Sequence, residues 1–238
     1  MKNYIGGFFM KKNLPVLIHL NMALIGGFAG GFAILNHNDL FGSAQTANMI
    51  SLALDFGGRN DNLWLYRLLG VFVYIAGLAS TVLIPKLFSN YHLKIISILV
   101  DVAAFIIVAF LPKDTNILLS LYPLFFAMAM QWCSFSGAEG YNSATIFSTN
   151  NLRQCITSFT EYFYSKDQKA LHKGIFYGRV LLFFHIGVVI SCIASFSFQS
   201  LGALIGILPT LPALGIVWLE EHERANIKEL MTEKAKSA

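Results

Sequence analysis

The order of apolar and polar positions along the chain predicts helices of two lengths. Apolar runs of the length that crosses a bilayer, about 20 residues, fall at about residues 14–35, 63–84, 93–111, 116–135, 174–196 and 201–219. Short polar or proline-marked segments separate them: 36–39, 57–62, Pro85 with 86–94, Pro112 with 113–115, 165–173 and 197–201. A further stretch, 41–55 (FGSAQTANMISLALD), is too short to cross and too apolar for a surface loop, and its pattern recurs at 144–164 (ATIFSTNNLRQCITSFTEYFY). Each places a polar T-x-N tip, Thr46-Ala47-Asn48 and Thr149-Asn150-Asn151, shortly after a long apolar span. A polar tip opening a half-length apolar helix predicts a re-entrant or broken helix. Such backbone survives at membrane depth only where protein or a water-filled cavity covers it.

One short helix per half gives each half three spans. Three is odd, so the halves run in opposite directions. The expected fold class is an all-α membrane protein with six transmembrane helices plus two short re-entrant or broken helices, in two inverted pseudo-repeats, 14–111 and 116–219. Residues 1–219 form one integral membrane domain and 220–238 a charged cytoplasmic tail. Basic residues bias short loops toward the cytoplasm. With the N-terminus inside, Lys2, Lys11, Lys12, Lys86, Lys94, Lys166, Lys169, Lys173, Arg179, Arg224, Lys228, Lys234 and Lys236 all lie inside, and Arg59, Arg67 and Lys113 outside. Both termini are therefore expected in the cytoplasm, and the chain in a bacterial inner membrane.

Composition agrees. Hydrophobic residues make up 55% of the chain and charged residues 13%, against roughly 25% charged in ordinary soluble domains; mean hydropathy is +0.60. The net charge of +4 is absorbed by the loop bias, and no nucleic-acid partner is expected. Cys133, Cys155 and Cys192 lack metal or redox spacing and read as packing residues. The first run lacks a small-x-small cleavage site followed by a polar segment, so no cleaved signal is expected. No zinc-protease, nucleophile-elbow or phosphate-loop signature occurs. The glycines at 26–31 lie inside an apolar run without a preceding strand, which rejects a dinucleotide loop. No enzyme activity, cofactor or metal is expected.

The polar residues inside apolar sequence are the candidates for function. Gln45, Thr46 and Asn48 either line a central cavity beside a helix N-terminus, which favours an anion, or only cap that helix. Thr149, Asn150 and Asn151 carry the same two readings. Gln131, inside the fourth span, either bonds across the halves to the first tip or makes a helix–helix contact without a ligand. Asp101 lies midway along the third span, where an ionisable side chain marks a proton or cation site or a structural partner for His185 or for a backbone group. His185 either titrates near neutral pH or is a satisfied core residue. Arg153 either meets an anionic solute or extends to the interface. Glu139 and Glu161 flank the second short helix as interfacial residues.

These residues resemble the YoaK family, small bacterial multi-pass membrane proteins of unknown function. The family's first half reads A-G-x-x-D-A-x-x-F, then F-x-x-x-x-T-G-N; residues 29–35, then Phe41, Thr46, Ala47 and Asn48, fall on it. Its second half reads G-x-Q-N-A, then T-x-x-x-T-G; Ala129, Met130, Gln131, Trp132 and Cys133, then Thr145, Thr149 and Asn150, fall there. The family's acidic position is Gly30, its tip glycines are Ala47 and Asn150, and Trp132 replaces its asparagine. The resemblance implies a divergent member. The expected function is transport or channel-like passage of a small solute or ion, with the lipid bilayer as partner and the site between the tips. The alternative is a non-transporting scaffold or regulatory partner.

Overall fold

The computed structural model describes residues 2–37, 40, 45–59, 62–88, 92–112 and 114–237, with side chains described from Leu14 to Glu223 and at Met231. Asn38, Asp39, residues 41–44, Asn60, Asp61, residues 89–91 and Lys113 lie outside the described set. So do the side chains of Lys2, Lys11, Lys12, Arg224, Lys228, Lys234 and Lys236.

The described residues are all-α apart from one small hairpin. Helix α1 (Lys2–Asn36) is followed by the short α2 (Gln45–Phe56), then α3 (Trp64–Leu87) and α4 (Leu93–Phe110). A 3₁₀ turn (Leu119–Leu121) leads into α5 (Tyr122–Ser134); the hairpin of β1 (Gly137–Ala138) and β2 (Tyr141–Asn142) follows, then α6 (Thr149–Ser165). Helix α7 (Gln168–Phe198), a 3₁₀ segment (Gln199–Ile207) and α8 (Thr210–Ser237) complete the chain.

Among the described residues, four helical stretches are long and apolar enough to cross a membrane: Leu14–Asn36, Trp64–Leu87, Leu93–Phe110 and Gln168–Glu223. The last is 56 residues long, more than twice what one crossing takes. It reverses at Gln199, whose φ is 51°, and the 3₁₀ segment packs back on α7 at Gly202 against Ala194.

Several boundaries differ from the expected ones. Pro123 sits in the first turn of α5, where a missing N–H is harmless, so the fourth span is a 3₁₀ turn followed by a short α-helix. Pro85 lies inside α3, which continues to Leu87. The expected 165–173 loop shrinks to Lys166 and Asp167. Lys166 ends α6 in the left-handed region at φ 59°, and the Asp167 carboxylate accepts from the Lys169 N–H at 3.0 Å to start α7. Residues 220–237, expected as a charged helical tail, are helical and run on from α8 without a break.

Helix α1 is central: 78% of its apolar window is buried, against 22% for α3. It packs mainly against α7, and α3 packs against α5; α2 lies on α3 and α6 on α7, while α4 meets α5 and α8 meets α1. Glycine permits the α1–α7 crossing. A Cβ at Gly187 would strike the Leu24 carbonyl of α1, and one at Gly27 the Phe184 carbonyl of α7. One core joins α1, α4, α5 and the 3₁₀ segment through Phe28, Phe32, Phe105, Phe125, Met128 and Ala203, and a smaller one joins α1, the hairpin, α6 and α7. The outer faces keep an apolar surface, for example Phe72, Ile75 and Val82 on α3 and Leu182, Val189 and Ile193 on α7. Apolar side chains facing outward around a buried centre fit a hydrocarbon surround.

Candidate functional site

The two short helices present their tips in the same way. In α2, Gln45 and Asn48 are buried, while Thr46, Ala47, Met49 and Ile50 are exposed. In α6, Asn151 is buried, and Thr149, Asn150, Leu152 and Arg153 are exposed. The helical period of 3.6 turns the asparagine inward and the threonine outward in both. The Asn48 amide donates to Gln45 Oε1 at 3.2 Å, and Gln45 Nε2 is buried without a partner.

Asn151 uses its polar atoms on the segment before its own helix. Its amide donates to the carbonyls of Ala144 (2.7 Å) and Phe147 (3.0 Å), and its oxygen accepts from Ser143 (3.0 Å). Ser148, at the N-cap of α6, makes no side-chain capping bond. Asn150 instead accepts from Arg153 Nη2 at 2.9 Å. The tips are not brought together by these bonds; each is tied within its own half.

Gln131 does join the halves, through a different partner from the first tip. It is fully buried in α5, and its amide donates to the Met22 carbonyl of α1 (3.0 Å) and to Thr145 Oγ1 (2.8 Å). Gln131 Oε1 has no partner.

Asp101 lies in α4, fully buried, and neither carboxylate oxygen has a hydrogen-bond partner. Ser97, one turn earlier on the same helical face, is equally buried, with its hydroxyl unpartnered. Another turn back, Lys94 pairs with Glu220 of α8 at 2.7 Å. His185 is not the partner of Asp101. It is exposed on α7, with Nδ1 2.8 Å from the Leu181 carbonyl of its own helix.

Three features escaped the sequence reading. Asp55, closing α2, has a side chain only 2% exposed and is held by Arg59 (2.8 Å) and by Arg67 of α3 (2.5 Å). This ion cluster pins α2 to α3; the only signal was a lone carboxylate in an apolar helix with two arginines following. His19 of α1 is buried with both ring nitrogens unpartnered, 5.8 Å from the Phe176 ring. His37, just past α1, is buried too; burial pushes its imidazole below the ordinary value, opposed by a hydrogen bond to the Ala33 carbonyl. The signal for both was a histidine near each end of the first apolar run.

Two cavities are lined in part by polar side chains. One, of about 320 Å³, lies at the end of α1 among Asn36, His37, Thr115, Ser120, Gln199 and Ser200. The other, of about 530 Å³, lies at the second tip among Trp132, Tyr141, Phe147, Asn150, Arg153 and Lys173. Glu139 lies outside that second lining, paired with His172 at 3.0 Å. Among the described residues, no group of three or more His, Cys, Asp or Glu side chains is placed to hold a metal ion.

Long apolar helices around a buried polar centre define a helical membrane protein. The chain belongs to the family described as "Protein of unknown function (DUF1275)", whose family model matches residues 18–217. No curated protein and no solved structure matches it.

Proposed function

We propose that this protein is a six-span carrier of a small solute or ion in a bacterial inner membrane, built from two inverted repeats with both termini in the cytoplasm. Asp101 is the observation on which the reading rests. A wholly buried carboxylate without a partner, inside a helix of membrane-spanning length, is costly when ionised. A bound proton or cation relieves that cost, so Asp101 is the coupling residue. Helix packing alone has no use for it.

The repeat reading is supported residue by residue. The buried face of α3 is Arg67, Gly70, Tyr74, Gly77 and Thr81, and Tyr177, Val180, Phe184, Gly187 and Ser191 recur on α7 with the same spacing. Gly77 meets the Phe126 backbone of α5 as Gly187 meets the Leu24 backbone of α1. Asn48 and Asn151 match on the short helices. Exchanging α1 with α5, α2 with α6, α3 with α7 and α4 with α8 turns the packing α1–α7 into α5–α3, α2–α3 into α6–α7, and α4–α5 into α8–α1. An odd number of spans in each repeat inverts the second, the architecture of many secondary transporters. The YoaK likeness of both tips and of Gln131 fits this arrangement.

A scaffold is the second reading, favoured by Gly30. The position that is acidic in the YoaK pattern is here a buried residue without a side chain. Flux decides between them. The purified protein is placed in vesicles holding a pH-sensitive dye, under an imposed pH gradient, and challenged with a panel of small anions, amino acids and metabolites. A carrier moves protons with at least one solute, and Asp101→Asn abolishes that movement while leaving folded protein in the membrane. Full flux in the variant removes Asp101 from the coupling role, and no flux across the panel leaves the scaffold.

A further inference from the structure

We propose that the cavity at the start of α6 binds an organic anion: a carboxylate or phosphate head attached to an apolar or aromatic body. The argument begins with its walls. Two cations border the cavity, Arg153 from the second turn of α6 and Lys173 from the second turn of α7. Among the described residues no carboxylate does; Glu161 and Asp167 stand around a neighbouring cavity that shares Tyr141 and Lys173. Asp167 is already engaged by the Lys169 N–H.

The same lining carries four aromatic rings. Trp132 and Phe147 meet edge to face with centroids 5.0 Å apart, and Tyr141 and Tyr177 lie 6.0 Å apart. The Tyr177 hydroxyl donates to the Asn142 carbonyl at 2.7 Å, which fixes that ring and leaves its face as wall. Asn150 and Gln154 add amide donors.

The hairpin shapes the mouth. Its two-residue turn, Glu139 and Gly140, has φ of 55° and 79°, the left-handed pair that matches strand twist. A Cβ at Gly137 would strike the Tyr141 carbonyl, so glycine is required there for Tyr141 to reach the cavity.

Guanidinium and ammonium groups recognise carboxylate and phosphate, and the four aromatic rings of the mixed lining offer an apolar body a place beside them. The volume of about 530 Å³ falls within the roughly 300–1,000 Å³ usual for such sites. The inference goes beyond the carrier reading, because such a site would stand in a protein that moves nothing. It is therefore tested by binding, without flux.

The experiment measures thermal stabilisation of the full chain in a neutral maltoside detergent. The free probes are phenylphosphate and benzoate, with inorganic phosphate and acetate as heads without a body. The lipid probe is dihexanoyl phosphatidylglycerol, with dihexanoyl phosphatidylcholine as its control. A native-state ligand raises the melting temperature by mass action. The expected result is a shift with phenylphosphate or benzoate, weaker with the bare heads, and about tenfold weaker affinity in Arg153→Gln and in Lys173→Gln. Lys169→Gln, outside this cavity, binds as the native chain does. A charge-dependent shift with phosphatidylglycerol alone assigns the same chemistry to a lipid headgroup. With Trp64→Phe and Trp218→Phe, Trp132 becomes the single indole, and its fluorescence changes on binding with both cations intact. No shift from any probe overturns the proposal; so do shifts unchanged in both charge variants, or inorganic phosphate binding as well as phenylphosphate.

Discussion

At the scale of single residues, the T-x-N tips divide labour by direction. Threonine faces outward and asparagine inward in both short helices. The sequence named these residues, but not which would be used up by local bonds. Asn151 has both amide protons and its oxygen engaged within 3.0 Å, so it holds the 143–147 segment in place. Asn151→Ala strands two carbonyls and a hydroxyl, each costing on the order of 1 kcal/mol or more when buried. The variant should melt several degrees below the native chain in detergent, while Thr149→Val, altering an exposed hydroxyl, leaves the melting temperature nearly unchanged. Equal effects would remove the distinction between the two. Asp101 was legible as an ionisable residue inside an apolar run. That His185 lies apart from it was not, because an apolar helix offers no period strong enough to say which face turns inward.

At the scale of elements, most helices were written in the apolar pattern. Their boundaries were set by caps and prolines that act locally: Pro123 for α5, Lys166 and Asp167 between α6 and α7. The hairpin at 137–142 was missed because four paired residues, Gly137 with Asn142 and Ala138 with Tyr141, leave no alternation to read. The glycines of the first span were legible as small residues for close approach; their partners required the fold. Gly187→Ala drives a methyl group into the α1 backbone at Leu24 and Phe28. Overpacking of that kind costs about 1–3 kcal/mol. Gly215→Ala in α8 meets nothing within 4 Å and should be neutral or stabilising by up to about 1 kcal/mol. Denaturant titration of the two variants checks the contrast, and a tolerated Gly187→Ala would mean that α1 and α7 separate freely.

At the scale of the whole molecule, the inverted repeat makes a directional prediction. On the proposed topology, the tip of α2 is reached from outside the cell and the tip of α6 from the cytoplasm. With Cys133, Cys155 and Cys192 replaced, single cysteines at the exposed positions Thr46 and Thr149 should react with an impermeant thiol reagent from opposite sides: Thr46→Cys in intact cells, Thr149→Cys only in inverted vesicles. Labelling of both from one side would end the inverted topology and with it the six-span count. The ion pair of Lys94 with Glu220 joins α4 to α8 where the topology puts cytoplasm, so the same experiment also tests the placement of the charged end of α8.

The sequence by itself determined the all-α, apolar class of this protein and the place of most of its helices. Apolar run length and period are local properties, and a bilayer-length run has few alternatives to a helix. It also determined which polar residues stand out of place, since Asp101, Gln131 and the two tips are visible as exceptions to their surroundings. Only the tertiary structure decided which of them meet. Gln131 bonds Met22 and Thr145 rather than the first tip, and Asp55 gathers Arg59 and Arg67. Arg153 and Lys173 come to one cavity from two helices. Those meetings depend on helix rotation and crossing, which are fixed by glycine contacts and side-chain packing between segments far apart in the chain, and no local pattern encodes the outcome.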